Sequence, residues 1–200
     1  MANSNGRQHP LLIYRRLYAL WRPLALVITL LWLLLWWFAP APFDSELSQL
    51  AVLTAAGLFG LFFLYTLAAP RLTFVQCRPT HLLLSTPLFR LAVSYSRIRT
   101  TRPVLFDPPR SRGGQELLVG PLRGLTAVAV DLNRYPISVR WLRLWLNEFL
   151  VPENSIGLVL LTPNWMELSR DIDTFRTHWK ARRLGEGSPG LTSLLPGDRK

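Results

Sequence analysis

Two uncharged apolar runs, Pro23 to Ala39 and Leu47 to Ala69, lie only seven residues apart, with Asp44 and Glu46 in the connection between them. A helix needs about 20 residues to cross a hydrocarbon layer of about 30 Å. The first run falls slightly short, but Trp21, Trp32, Trp36, Trp37 and Phe38 supply aromatic rings suited to headgroup depth. The second, LSQLAVLTAAGLFGLFFLYTLAA, is long enough unaided. The pattern predicts a transmembrane helical hairpin over residues 23–69. Gly57 and Gly60 would let its helices approach closely, although their spacing of three is not the GxxxG dimer spacing.

Charge is distributed unevenly around the hairpin. Residues 1–39 hold four arginines and no acid, the connection holds two acids, and residues 70–200 hold 19 basic against 10 acidic groups. By the positive-inside rule Arg7, Arg15, Arg16 and Arg22 keep the first end in the cytoplasm, and Arg71 and Arg78 keep the second end there. Both termini are therefore expected to be cytoplasmic, at a plasma membrane crossed twice. Tyr14-Arg15-Arg16-Leu17-Tyr18 is similar to a twin-arginine signal and Ala39-Pro40-Ala41 to a cleavage site. The apolar run is too long and too Trp-rich for a signal peptide, and Pro42 would follow the cut, which favours a retained helix.

The remaining length suffices for one small domain. Its net positive charge suits an anionic leaflet held close by the tether. Basic residues are scattered rather than clustered and form no nucleic-acid motif, so no nucleic-acid partner is expected. Cys77 is the chain's single cysteine, which fits a reduced compartment and no disulfide framework.

Along the chain, 1–22 reads as a cytoplasmic basic segment: a mobile polar stretch to Pro10, then Leu11 to Arg22 extending the first helix into the headgroup layer. From Arg71 the grammar changes to short strands, LTFVQC, HLLLST and FRLAVSY, divided by Arg78-Pro79-Thr80 and Pro87. Gln115 to Val119, Leu125 to Leu132 and Ile156 to Leu161 read as further strands, and Asp107 to Gly114 as a loop. Asn164 with Glu167 resembles a capping box opening an amphipathic helix. Its apolar stripe is Trp165, Leu168, Ile172, Phe175 and Trp179, and Gly185 and Gly187 are expected to stop it. A domain over 70–184 and a disordered tail over 185–200 follow.

Short antiparallel strands closed by one C-terminal helix behind an N-terminal hairpin resemble the bacterial pleckstrin-homology-like (PH-like) membrane proteins. The matching stretches are HPLLIYRRLYALWRP, LTFVQCRPTHLLLSTPLFRLAVSYSRIRTTRP and GLVLLTPNWMELSRDIDTFRTHW, and Val93-Ser-Tyr-Ser-Arg-Ile98 carries the most telling motif. The resemblance implies an α+β membrane protein, with a small antiparallel β-barrel or curled sheet closed by the helix. Pro103 to Val151 is longer than that pattern allows.

Catalytic patterns are missing from the sequence. His9, His81 and His178 have no Cys or acid neighbours at metal-ligand spacing, and Gly113-Gly114 and Gly120 to Gly124 are not phosphate loops. No Ser sits in a nucleophile elbow, and Asp171 and Asp173 point in different directions on the helix as solvated charges. The reading is a non-enzyme without metal or cofactor: an interaction module that binds lipid headgroups, a peptide or protein partner, or itself. The other reading is an accessory subunit of a membrane transporter or envelope-building complex, acting through the hairpin on a membrane-protein partner.

Arg140 to Val151, RWLRLWLNEFLV, breaks the strand pattern. Wound as a helix, Trp141, Trp145 and Phe149 share a face widened by Leu142, Leu146 and Leu150, opposite Arg140, Arg143 and Asn147. Such a helix either packs on the domain or lies in the membrane interface. Trp141, Trp145, Arg140, Arg143, Arg71 and Arg78 are the candidate membrane-interface residues.

Overall fold

The computed structural model describes residues 6–38, 46–108, 115–152 and 155–186. The hairpin connection at Asp44, most of the expected loop before Gly114 and the tail beyond residue 186 lie outside the described residues.

Two long helices, α1 (Leu12–Phe38) and α2 (Glu46–Ala68), run antiparallel. Their pairing follows from contacts that advance on one helix and retreat on the other. Tyr18 meets Tyr65 edge-on at 5.9 Å, Trp21 meets Phe62 at 6.4 Å and Trp32 stacks on Phe59 at 6.4 Å. Gly60 faces the Thr29 methyl, as a close-approach residue should, whereas Gly57 faces nothing. The hydroxyls of Thr29, Thr54 and Thr66 donate within their own helices to Ala25, Leu50 and Phe63, so these polar atoms need no water. Both helices are long and apolar enough to cross a membrane. Their leucines are mostly exposed instead of packed into a core, for example Leu30, Leu33, Leu58 and Leu61.

The rest of the chain is α+β. One antiparallel sheet has the order β1-β2-β3-β4, formed by Gln8–Pro10, Phe74–Cys77, His81–Ser85 and Arg90–Ser94. A second contains β5 (Ile98–Leu105), β6 (Thr126–Leu132) and β7 (Gly157–Leu160) in that order. Among the described residues these are two open sheets, and no strand pairing closes them into a barrel. The telling motif is their joint. Tyr95 to Arg97 form a 3-10 turn between β4 and β5, capped by Ser94, whose hydroxyl accepts from the Ser96 amide. The buried Tyr95 hydroxyl donates to the Arg78 carbonyl at 2.9 Å.

Gly6 to Pro10 correct the expectation of a mobile stretch up to Pro10, of which residues 1–5 lie outside the described residues. Gln8, His9 and Pro10 pair with Gln76, Val75 and Phe74, so the strands leading into and out of the hairpin are neighbours in one sheet. Gly6 makes this possible. Its amide donates to the Cys77 carbonyl at 2.7 Å, and a Cβ there would stand 2.8 Å from that same oxygen.

Between β5 and β7 the chain departs from a simple strand succession. Gln115–Val119, expected as a strand, is a short helix, α3, burying Leu118 and Val119 and packed beside α1. Residues 139–145 form helix α4 (Val139–Trp145). The expected helix to Val151 stops early because Leu146 turns extended and Asn147 caps a separate 3-10 turn, accepting from the Phe149 amide at 3.1 Å.

The last helix, α5 (Trp165–Glu186), lies against β2, β5 and β6. Leu168 and Ile172 are fully buried, and Phe175 and Trp179 pack on the core from its edge. It continues through Gly185, so that glycine does not end it.

Candidate functional site

Strand register places the two ends of the domain. Phe74, three residues beyond the helical turn that ends at Arg71, pairs with Ser85, while Cys77 pairs with Leu82 at the other end of the ladder. The β3–β4 connection, Thr86 to Phe89, therefore stands at the hairpin end, and the β2–β3 turn at Arg78 to Thr80 stands at the distal end. Thr86 locks the near turn by accepting from the Phe89 amide and donating to the Phe89 carbonyl.

Helix α4 meets this near turn. Phe89 stacks on Trp145 at 6.2 Å, and Trp145 stacks on Trp141 at 6.4 Å with ring planes 5° apart. Tyr14, in the first turn of α1, accepts from the Asn147 amide at 3.0 Å and fixes the segment after α4 to the base of the hairpin. Leu142, Leu146 and Leu150 are buried and carry the packing. On the outside Leu88 is 72% exposed, Leu144 70% and Trp141 57%, and Trp145 is also exposed. This segment is thus both core and surface: leucines inward, tryptophans and Leu144 outward. Exposed apolar side chains thus stand at this end of the domain, beside two exposed apolar helices.

The remaining expected interface residues divide. Arg140 and Arg143 are exposed on α4, and Arg71 is exposed where α2 gives way to β2. Arg78 is half-buried in the distal turn, a strand length away from the hairpin. Leu88 was missed by sequence reasoning because it sits in the break at Pro87, and Phe89, expected to open the strand FRLAVSY, belongs instead to the turn, the strand starting at Arg90.

A second cluster is polar and buried. His9, expected to be an ordinary histidine, is 3% exposed, and its Nε2 lies 3.0 Å from Asp171 Oδ2 on α5. Asp171 is therefore a partner in a β1–α5 tie and not merely a solvated helix charge. Arg7 and Glu167 repeat the tie at 3.1 Å on the exposed side. Asp173 accepts from Thr101 at 3.0 Å, so the two aspartates serve different strands. Cys77 lies close by, in contact with Tyr95. Burial, with the Asp171 charge adding to it, pushes its thiol up to about 12, so it stays protonated at neutral pH. A thiol held in that form is a core side chain, not an activated nucleophile.

Neither the protein-family models, the curated proteins nor the solved structures contain a match to this chain.

Proposed function

We propose that the chain is a membrane-anchored, non-catalytic PH-like interaction module whose domain sits against the cytoplasmic leaflet, both termini being cytoplasmic. The observation that carries this reading is the exposure of Trp141, Leu144 and Trp145 on α4, which stacks through Trp145 on Phe89 of the turn at the hairpin end, a turn that also exposes Leu88. Tryptophan and leucine beside arginine suit headgroup depth, where rings sit at the hydrocarbon boundary and guanidiniums reach phosphate. Arg140 and Arg143 on the same short helix supply that charge. Two antiparallel sheets joined at the Tyr95 motif and covered by a C-terminal helix support the PH-like reading. That likeness leaves the molecular target open, because fold alone does not fix function.

Depth-dependent quenching tests the seating. In the full chain reconstituted into phosphatidylglycerol-containing nanodiscs, Leu88→Cys and Ala181→Cys are labelled separately with an environment-sensitive fluorophore; Arg182, beside Ala181, donates to Pro79 in the distal turn. A headgroup-level nitroxide lipid is expected to quench the label at residue 88 strongly and the one at 181 weakly. Equal quenching at both positions overturns the seating.

A further inference from the structure

A cleft of about 660 Å³ opens where the domain meets the hairpin, lined by Pro10 at the end of β1, by Arg15, Arg22 and Arg71, and by Leu64 and Leu67 of α2. Arg15 and Arg22 are seven residues apart on α1, hence on one helix face about 10 Å apart along its axis. Arg71 faces them from the exit of α2. The Arg22 Nε donates to the Thr66 carbonyl at 3.3 Å, which anchors that side chain across the helix pair and leaves its terminal nitrogens for another acceptor. Among the described residues, none of the three guanidiniums lies within ion-pair distance of a carboxylate. No acidic residue occurs in 1–39, nor between Glu46 and Asp107. Among the described residues, three cations thus share one concavity with no carboxylate within ion-pair distance of any of them.

We propose that this cleft is a binding site for one anionic phospholipid, a reading that rests on the hairpin spanning a membrane. Arg15 and Arg71 at the mouth take the phosphodiester, Arg22 below donates to the glycerol ester region, and the acyl chains lie along Leu64 and Leu67. Charge complementarity selects the headgroup, since arginine forks match phosphate oxygens and a net negative lipid neutralises the site. The apolar wall selects a lipid over a free anion. The site is separate from the tryptophan cluster, so the protein would hold a lipid at the hairpin whether or not its domain touches the leaflet.

The test uses the purified full chain in neutral detergent, titrated with dihexanoyl phosphatidylglycerol, dihexanoyl phosphatidylcholine and inorganic phosphate. Phosphatidylglycerol is expected to bind at least tenfold tighter than either of the others. Arg15→Gln with Arg71→Gln should weaken it about a hundredfold, near tenfold per lost charged hydrogen-bond partner. Arg15→Lys with Arg71→Lys should recover part of that loss, and unchanged far-ultraviolet circular dichroism shows that the variants are folded. Equal binding of phosphatidylglycerol and inorganic phosphate, or no loss in the glutamine variant, overturns the proposal. The two readings fail separately: release of the wild-type chain from membranes by alkaline carbonate overturns the spanning hairpin, whereas a chain that stays in the pellet yet does not discriminate among the probes overturns only the lipid site.

Discussion

Cys77 shows how much a single buried group depends on what surrounds it. It lies at 0% exposure in β2, with Tyr95 and the Asp171 carboxylate nearby. Burial is the main cause of its raised affinity for a proton, and the Tyr95 hydroxyl is raised too, again by burial first. The folded chain therefore holds the thiol proton from the ordinary 9.0 up to about 12, whereas the unfolded chain releases it from about 9 upward. The stabilisation is complete below pH 9 and is lost as the pH rises through 12. Melting temperature should fall between pH 9 and 12, and Cys77→Ala should make that fall shallower. A slope unchanged by the substitution would remove Cys77 as its source. In the native protein at pH 7.5 the same burial predicts negligible reaction with a thiol reagent until denaturant is added.

Among the elements, α5 determines whether the two sheets act as one core. It touches β2 in one sheet and β5 and β6 in the other, and its tie to β1 through Asp171 and His9 reaches the strand that enters the hairpin. Ile172 is fully buried and Thr174 is exposed two residues on. Removing a buried isoleucine side chain to Cβ typically costs about 2 to 5 kcal/mol, a large share of a small domain's stability. Ile172→Ala should lower the denaturation midpoint sharply or yield an unfolded, degraded domain, while Thr174→Ala should leave it in place. Equal tolerance of the two would mean that α5 is not part of the core.

At the scale of the whole molecule the hairpin is not a tether hung from one end of the domain. Because β1 precedes it and β2 follows it in the same sheet, both of its ends are held by backbone pairing. A soluble piece beginning at residue 70 lacks an edge strand and the His9–Asp171 tie, so the intact chain is the proper material for measurement. The proposed orientation rests on charge asymmetry and is open to a direct test. A reporter fused after Lys200 should be active only in the cytoplasm and one inserted at Asp44 only outside; the opposite activities would overturn the placement of the domain.

Local patterns were enough for several parts of this protein. Apolar runs of 17 and 23 residues without charge have only a few physical outcomes, and the helices follow. Short apolar runs around Val75, Leu82 and Leu91 bounded by turn residues, and the 3-4 stripe through Leu168 and Ile172, likewise carry their own structure, because each needs only its own neighbours to express its pattern. Val93 to Ile98 stood out in the sequence, but its place as the joint between two sheets and the Tyr95 hydrogen bond to Arg78 were not legible there. What sequence could not supply was every feature that depends on distant partners. Gln8 to Pro10 have no strand character alone and become β1 only because β2 offers an unpaired edge. Gln115 to Val119 carries apolar residues that fit either period, and packing beside α1 makes it helical. Phe89 meets Trp145 only through the β3–β4 register, and Arg15 joins Arg71 only through the antiparallel helix pair. Propensity and periodicity act over a few residues, whereas a surface cluster or a cleft is a sum over elements far apart in the chain, and tertiary packing alone sets that sum.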